Sequence, residues 1–456
     1  MPELIRTLRL RDLVLLIIGA VIGSGIFLVP AGILNQVDHS VITAALVWIF
    51  GGILCLLGAL TYGELAAMKP EAGGLYVYIR DGFGPLPAFL YGWSMFLAVA
   101  SGSVSALAVA FSTYLGAVIP LGPWAGKLVA IAVIAVVTAV NVWGTRRSSD
   151  LQNWTTLAKT ALILGISATL LALGRGYSEI PASLWSAHPS GSLLSSFGLA
   201  MITVLWAYEG WQFSTYSAGE ALNPRKDFPR ALFSGVVFLI GVYLLANVGY
   251  LAALGPERAG HAETIAAASI SAVVGPGAAK IVALTILISV FSAANSVVLT
   301  APRVFYAMSK DGLFFPALAE VHPRFRTPAI AIIALGIWSA FLACLGRFQE
   351  LINYAMFVAW IFYGLAAAAI FSYRRRHPEL ERPYRVPGYP WTPLLFVLAA
   401  ALLVVNAVFS AGKNALIGLT IVGLGLPAYF LWRRRRAQLP TTTQISDDES
   451  PDSTGP

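Results

Sequence analysis

The sequence predicts an all-α integral membrane protein with twelve transmembrane helices. Hydrophobic residues make up 57% of the 456 residues and charged residues only 11%, far from the composition of a water-soluble domain. Apolar windows of about 20 residues recur along the chain, each long enough to cross a bilayer as a helix. The positive charges between these windows alternate in density from one connecting segment to the next. Together these observations exclude a soluble globular fold.

The twelve apolar windows are the candidate spans. Some are longer than a crossing requires, and helix tilt or an extension beyond the bilayer absorbs the excess. In chain order the windows cover residues 13–30, 41–67, 86–119, 128–143, 154–173, 192–218, 231–254, 281–301, 329–345, 351–373, 391–409 and 415–432.

The distribution of lysine and arginine tests this number of spans. With the N-terminus in the cytoplasm, 23 of the 30 Lys and Arg residues fall in inside segments, six fall in outside segments, and Lys159 lies within a span. One missed helix would invert every later loop and scramble this segregation. Both termini are therefore predicted to be cytoplasmic, and the net charge of +8 needs no nucleic-acid partner to explain it.

The spans divide the chain into five parts. Residues 1–12 form a cytoplasmic N-terminus, 13–173 a first group of five helices, 192–373 a second group of five, and 391–432 a final pair. The two groups of five are candidates for inverted repeats. Residues 437–456 are polar, acidic and proline-bearing, so a disordered cytoplasmic tail is predicted there.

Two of the spans contain residues that interrupt helices. The first holds "IGSGIF" at 22–27, and the sixth holds "VLWAYEGWQFST" at 204–215. Glycine costs about 1 kcal/mol relative to alanine in a helix interior, and backbone groups freed in lipid need new partners. In two inverted repeats these breaks occupy matching positions, which indicates a binding site near the bilayer midplane. Glycines that only allow close helix packing are the alternative.

Freed backbone groups at such breaks fit the two ends of an α-amino acid. The amide hydrogens of Ser24, Gly25 and Ile26 would lie at the start of a half-helix. The positive end of the helix dipole at this point suits a carboxylate. Carbonyl groups of the unwound segments suit an ammonium group. The expected ligand is therefore a small-molecule amino acid substrate.

Lys159 lies inside the fifth span, where a charged side chain is costly and indicates a functional site. Its ammonium could occupy the place of a sodium ion, bonded to carbonyls of the first break and to hydroxyls of the eighth span such as Ser292 or Ser296. That arrangement would make the protein independent of sodium. The alternative is a side chain that snorkels to the cytoplasmic face.

Glu209 is the charged residue of the second break, and three interpretations remain open for it. It could contact a cationic substrate, take part in proton coupling, or be solvated in a vestibule. Trp206, just before the break, could be an aromatic lid over the substrate or simply a packing residue.

Signatures of other functions are missing from the sequence. The five histidines are scattered, no His/Cys cluster has metal-ligand spacing, and no phosphate loop is present. Cys55 and Cys344 lie in apolar segments and indicate no disulfide framework. The sequence thus predicts no metal, no cofactor and no enzymatic activity, and neither ATP-driven transport nor the selectivity filter of a channel is supported.

Six motifs in order carry a resemblance that covers nearly the whole chain, from about Leu8 to Arg436. They are "GAVIGSGIF", "KPEAGGLYVYIRDGFG", "LWAYEGW", "GEALNPRKDFPRA", "RVFYAMSKDGLF" and "RRHPELERPYRVPGYPWTP". In this order they resemble the amino acid-polyamine-organocation superfamily, and most of all its L-type amino acid transporter branch. The resemblance implies a leucine-transporter-type fold, a 5+5 inverted repeat with broken first and sixth helices and two trailing ones. It also implies alternating access, commonly as a sodium-independent exchanger.

The resemblance also implies roles for individual residues. The substrate carboxylate would meet Ser24 and Gly25, and the substrate amino group would meet the carbonyls of Val21, Trp206 and Glu209. Trp206 matches the gating aromatic residue of the family, and Gln212 matches a polar position that lines the pocket. Lys159 matches a lysine of bacterial members that bridges the first span, here near Gly19, and the eighth.

Two departures from the family pattern affect substrate and partner. Members that carry neutral amino acids often have a small residue at the position of Glu209, whereas an acidic residue occurs in a member that accepts cationic substrates. Animal members use a cysteine after the third span to bond a heavy-chain partner, and "VIPLGPWAGK" at 118–127 has none. No disulfide-linked heavy chain is therefore expected, only the lipid bilayer and the substrate.

The function that the sequence predicts is plasma-membrane transport of L-amino acids by sodium-independent exchange or facilitation. A proton-coupled symporter is the competing mechanism, with Lys159 or Glu209 as the titrating group. A non-transporting amino acid sensor on the same scaffold is the alternative of another class. The preferred amino acid, the physiological direction and the oligomeric state are left open.

Overall fold

The structure is a computed structural model that describes residues 3–180, 184, 193–345, 348–410 and 412–438. In these ranges every regular element is a helix, and the only extended pairing is an isolated bridge between Leu8 and Ala221. The prediction of an all-α fold is confirmed for this part of the chain. Residues 439–456, most of the predicted disordered tail, lie outside the described residues.

The helices follow one another with short connections. The α-helices are Leu10–Val21 (α1), Gly25–Gln36 (α2), Val41–Met68 (α3), Leu75–Phe83 (α4), Pro85–Ser94 (α5), Ala100–Gly116 (α6), Pro123–Val142 (α7), Thr145–Leu173 (α8), Leu193–Ala207 (α9), Pro224–Leu254 (α10), Pro256–Gly260 (α11), Ile265–Val274 (α12), Ala279–Thr300 (α13), Pro302–Lys310 (α14), Ala329–Leu345 (α15), Phe348–Arg376 (α16), Trp391–Ser410 (α17) and Gly412–Gln438 (α18). Shorter helical segments of other types are a π-helical turn at Met95–Val99 and 3₁₀ segments at Gly176–Glu179, Trp211–Glu220, Pro276–Ala278 and Pro316–Ala319.

Nine helical segments of the described chain are long and apolar enough to cross a membrane. The pair formed by α1 and α2, bent by 48°, counts as a tenth if it is one span. Two further predicted spans do not reach this length in the described residues, because α9 has 15 residues and α15 has 17. The protein is thus a multi-pass membrane protein, and the number twelve remains a prediction.

The outer faces of the bundle are apolar, as expected for helices in lipid. Trp124 is 80% exposed, Phe409 85% and Leu402 69%. Apolar surface of this extent is unfavourable in water and normal against acyl chains.

Several helices extend beyond the apolar windows. Helix α8 begins at Thr145, nine residues before the predicted start of the fifth span, and α10 begins at Pro224, seven residues before the predicted start of the seventh. The windows count only apolar residues, whereas these first turns are polar and lie where hydropathy has no helical signal. Helix α12, with ten residues, was not expected because it is too short to cross a bilayer.

Ion pairs join helices at the end of the bundle where α8 begins. The Arg303 guanidinium donates to the Glu220 carboxylate at 2.6 and 2.9 Å, and both side chains are fully buried. Thr145 donates to the same carboxylate at 2.6 Å. One residue further, Arg146 donates at 2.8 Å to Asp12, which lies in the first turn of α1. These contacts hold the first interrupted helix, α8 and the segment after the second break together at this end.

Candidate functional site

The first interruption separates α1, which ends at Val21, from α2, which begins at Gly25. No acceptor is found among the described residues for the amide hydrogens of Ser24, Gly25 and Ile26. Three adjacent donors at the start of a helix form a favourable environment for an anionic group. The geometry of the break therefore agrees with the carboxylate contact expected from the sequence, and the contact itself remains a prediction.

The second interruption follows α9. The helix ends at Ala207, a turn covers 208–210, and the chain continues as a 3₁₀ segment from Trp211 to Glu220. Gly210 has a φ of 121°, a conformation that costs residues with a Cβ atom and that glycine adopts freely. The glycine of "YEGW" is thus required by the turn.

The two interruptions cross in direct contact, glycine against alanine in both cases. A Cβ atom added to Gly25 would lie 3.1 Å from the Cα atom of Ala207, and one added to Gly210 would lie 3.0 Å from the carbonyl carbon of Ala20. Such distances are shorter than ordinary van der Waals contacts between carbon atoms. The glycines therefore agree with both interpretations of the sequence: they lie where helices are interrupted, and they allow the two backbones to pack closely.

Tyr243 of α10 links the ends of the two interrupted helices. Its hydroxyl group lies 3.1 Å from the carbonyl oxygen of Val21 and 3.0 Å from that of Ala207, the last residues of α1 and α9. The side chain is fully buried. This residue was not among the site residues expected from the sequence. A tyrosine in the middle of an otherwise apolar span is nevertheless a signal, because its hydroxyl group needs a partner when buried.

The crossing helices enclose a cavity of about 90 Å³. This volume exceeds the 10–15 Å³ or so that one water molecule requires, so the cavity can admit a small solute. Its walls come from both interruptions and from α6 and α13. The lining residues are Ala20, Val21, Gly23, Ser24, Gly25, Ser103, Ala106, Leu107, Trp206, Ala207, Glu209, Phe213, Ala293 and Val297.

Lys159 reaches the first interruption from α8 and is fully buried. Its ammonium group donates to the carbonyl oxygen of Ile22 at 2.6 Å and to that of Gly19 at 2.7 Å, and it lies 3.4 Å from the carbonyl oxygen of Ser289 on α13. The side chain therefore points into the protein, which is not the snorkelling arrangement. The ammonium thus joins α8 to the first interruption and to α13.

The hydroxyl partners expected for Lys159 are wrong. The Ser292 hydroxyl accepts a bond from the Gln152 side chain at 3.2 Å, and the buried Ser296 hydroxyl has no partner among the described residues. The physical reason is the helical period: Ser289 lies one turn before Ser292, and it is this earlier turn of α13 that faces the break. The Ser289 hydroxyl lies 2.9 Å from the carbonyl oxygens of both Ile22 and Gly23.

Glu209 lies at the cavity wall with one carboxylate oxygen tied to the protein. Its Oε1 atom accepts a bond from the Tyr363 hydroxyl at 2.6 Å and one from the Gln212 side chain at 2.5 Å. No bond to Oε2 is found among the residues that the structure describes. One oxygen is thus held in place, and the other is available to a group in the cavity.

A family model for amino acid permeases matches residues 8–426 of the chain. The chain belongs to the amino acid permease family. The serine/threonine exchanger SteT of Bacillus subtilis (strain 168) is 32% identical over 92% of this chain and 95% of its own length. The human b(0,+)-type amino acid transporter 1 is 32% identical over 91% of this chain and 86% of its own length. The human cystine/glutamate transporter is 30% identical over 94% of this chain and 86% of its own length. These relatives are transporters and exchangers of amino acids, not enzymes, and this permease is an amino acid transporter.

In this permease, the Val21 carbonyl and the Gln212 side chain, both expected in the pocket, form hydrogen bonds within the protein. The Val21 carbonyl accepts a bond from the amide of Gly23 at 2.8 Å, and the Tyr243 hydroxyl, which also lies near the Ala207 carbonyl, is 3.1 Å away. The expected contact of the Val21 carbonyl with a substrate amino group remains a prediction. Gln212 is 1% exposed, does not line the cavity, and donates to the Glu209 carboxylate.

Trp206 and Ile26 complete the set of expected residues in the permease. Trp206 lines the cavity and is partly exposed to it, and its ring approaches Gly25, whose added Cβ atom would lie 3.6 Å from the Trp206 Cζ3 atom. Ile26 is fully buried and offers only its amide hydrogen. No group of three or more potential metal ligands occurs among the described residues.

Proposed function

We propose that this amino acid transporter is a sodium-independent exchanger. The observation that supports this most strongly is the ammonium of Lys159, bonded to carbonyl groups of Gly19 and Ile22 at the first interruption. Carbonyl oxygens of an unwound helix are the groups that bind a coupling cation in transporters with broken helices. A cation attached covalently to α8 fills that place, so no dissolved sodium ion is needed to balance the carbonyl dipoles.

The proposed substrate is an L-amino acid bound between the two interruptions. Its carboxylate is bound by the amide hydrogens of Ser24, Gly25 and Ile26, which have no other acceptor among the described residues. Its ammonium group is bound by the carbonyls of Trp206 and Glu209, where the second interruption begins. Trp206, which packs over Gly25, closes the cavity above the substrate.

The proposed side-chain selectivity follows from Glu209. Its Oε2 atom is the free carboxylate oxygen of the cavity, while Tyr363 and Gln212 hold Oε1. A cationic side chain would pair with this oxygen, whereas a neutral side chain would leave it to water. We therefore propose that the transporter accepts neutral amino acids and also cationic ones.

The proposed architecture has twelve transmembrane helices, with a 5+5 inverted repeat over 13–173 and 192–373 and two trailing helices over 391–432. The paired interruptions support it, because each lies in the first apolar helix of its group. In the proposed orientation both termini are cytoplasmic and the protein resides in the plasma membrane, as the segregation of Lys and Arg indicates. It works without a disulfide-linked heavy chain.

The experiment that tests the proposal is uptake of labelled alanine, leucine and arginine into proteoliposomes in sodium-free buffer. We expect internal unlabelled amino acid to stimulate uptake strongly, and we expect sodium to have no effect. Uptake that requires sodium would contradict the role proposed for Lys159. Binding without any flux would favour the sensor alternative.

The second candidate mechanism is proton-coupled symport, which the acidic Glu209 at the cavity wall favours. An imposed pH gradient separates the two mechanisms, because a symporter takes up substrate faster when the outside is acidic. Uptake into proteoliposomes without internal substrate should show no dependence on the gradient if the exchanger proposal is right.

A further inference from the structure

A second cavity, of about 550 Å³, lies at the end of the bundle where α7 ends and α8 begins. Its walls come from three separated parts of the chain: the N-terminal segment, the α7–α8 junction and the segment that precedes α15. It contains none of the residues that line the central cavity. The lining residues are Ile5, Thr7, Trp143, Gly144, Thr145, Arg146, Arg147, Arg324, Phe325 and Arg326.

Four arginines from two segments contribute to this wall, and three of them carry uncompensated charge. Arg146 forms ion pairs with Asp12 at 2.8 Å and with Asp150. Arg147, Arg324 and Arg326 form no ion pair with any residue that the structure describes. Acidic residues are absent from the cavity wall. Like charges that converge on a shared space repel one another, so their arrangement favours an anionic occupant.

The segment that carries two of these arginines is tightly held. The His322 amide donates to the Thr327 carbonyl at 2.9 Å, and the Arg326 amide donates to the His322 carbonyl at 2.9 Å. The Thr327 hydroxyl donates to the carbonyl of Val142 near the end of α7 at 2.9 Å. Arg326 adopts a φ of 55°, a left-handed backbone conformation that is uncommon for residues other than glycine. The turn therefore presents its arginines from a fixed position against α7.

Hydrogen-bond donors add to these charges. Gly144, the N-cap residue that precedes α8, has no side chain to cap the helix, so the first amides of α8 have no side-chain acceptor there. Arg146 and Arg147 place positive charge in this first turn, where the helix dipole disfavours cations unless an anion is present. The hydroxyl of Thr7, which also lines the cavity, is buried without a partner among the described residues.

The rim of the cavity is apolar and faces the surroundings of the bundle. Trp143, at the end of the lipid-facing helix α7, is 53% exposed, and Ile5 is 50% exposed. Exposed tryptophans at helix ends typically lie at the level of the lipid head groups. An occupant with an anionic head and an apolar body matches this combination better than a small soluble anion does.

We propose that this cavity binds the phosphate group of an anionic phospholipid. Guanidinium groups of Arg147, Arg324 and Arg326 donate to the phosphate oxygens, in the forked geometry that arginine offers to phosphate. The acyl chains lie along Trp143 and α7. The site is independent of the substrate cavity and holds whether or not the transporter is an exchanger.

The test is native mass spectrometry of the purified full chain, titrated with dioleoyl-phosphatidylglycerol or with dioleoyl-phosphatidylcholine. The site variant is R147Q/R324Q, and the matched control is R375Q/R434Q, which removes the same charge from two exposed arginines outside the cavity. We expect the affinity for phosphatidylglycerol to fall roughly tenfold to thirtyfold in the site variant. The control should retain the affinity within about twofold.

Further variants and ligands identify the source of the phosphate and allow for a double variant that does not fold. The variant R147K/R324K keeps both charges and should retain most of the binding, and the single variant R324Q replaces the double variant if the latter is not produced. Equal loss of binding in site and control variants would overturn the proposal, as would equal affinity for phosphatidylcholine. Binding of inorganic phosphate without binding of phosphatidylglycerol would overturn the assignment to lipid.

Discussion

At the scale of single residues, the contacts of Lys159 are those on which the proposed sodium-independent mechanism rests. Its ammonium supplies a donor to two carbonyl groups of the first interruption, Gly19 and Ile22, from a helix outside it. Without the ammonium the buried carbonyl of Gly19 would have no donor among the described residues, which costs about 1–3 kcal/mol, whereas the carbonyl of Ile22 would keep the Ser289 hydroxyl at 2.9 Å. We therefore expect the shape of the interruption to depend on this side chain.

We predict that Lys159→Ala slows exchange by roughly tenfold or more, because the interruption loses the donor that defines its shape. Substrate binding should persist, since the amides of Ser24 and Gly25 are unchanged. Labelled-substrate exchange and equilibrium binding in proteoliposomes measure the two effects. Lys127→Ala, which alters an exposed lysine, is the control. Exchange at the wild-type rate would remove Lys159 from the mechanism.

We predict that Glu209 determines whether the transporter accepts cationic substrates. Glu209→Gln preserves the size of the side chain but removes the charge that faces the cavity, so arginine uptake should fall roughly tenfold or more. Leucine and alanine uptake should change by less than about threefold, because neutral side chains do not pair with the carboxylate. Competition uptake in proteoliposomes measures both effects. Equal losses for all three substrates would indicate a structural or coupling role instead.

At the scale of helical elements, the crossing of the two interruptions is the feature on which the site depends. Gly210→Ala should lower the free energy of unfolding by about 2 kcal/mol or more, because the new Cβ atom adds left-handed strain and overlaps Ala20. Thermal unfolding of the purified protein measures the change. Gly32→Ala is the matched control, since an added Cβ there meets no atom within 4 Å. Similar unfolding temperatures for both variants would contradict the crossing.

Much of this element-level organisation could be predicted from the sequence. Both interruptions follow from glycines and polar residues inside apolar spans, and the approach of Lys159 to Gly19 follows from the family resemblance. The register of α13 could not be predicted, because Ser289, Ser292 and Ser296 are equivalent as buried hydroxyl groups in an apolar helix. Tyr243 was missed because its role depends on a contact between distant helices, which hydropathy does not encode.

At the scale of the whole molecule, buried ion pairs join separate helices at one end of the bundle. We predict that Glu220→Gln lowers the free energy of unfolding by about 3–5 kcal/mol, because it leaves the buried Arg303 guanidinium without its counter-charge. Glu381→Gln, which breaks an exposed pair with Arg225, should cost less than about 1 kcal/mol. Thermal unfolding of both variants measures the difference. Equal, small effects would show that Glu220 contributes little to the stability of this end of the bundle.

The sequence also predicts the general class of the whole molecule better than its details. Composition and charge segregation are sufficient for a multi-pass membrane protein, because bilayer thickness fixes span length and loop charge sets orientation. Helix ends outside the apolar windows, such as those at Thr145 and Pro224, are determined by polar contacts. These contacts form only after the helices have packed, so they leave no periodic signal in the sequence.

The tethered ammonium of Lys159 has a thermodynamic consequence for the proposed exchanger. A cation that is covalently part of the protein returns to the same side in every cycle, so it carries no electrochemical energy across the membrane. The transmembrane voltage and the sodium gradient then do no work on a neutral substrate. In one-for-one exchange, the inside-to-outside ratio that one amino acid can reach is limited to the inside-to-outside ratio of its exchange partner. Such a protein rebalances the composition of an amino acid pool at a constant total amount.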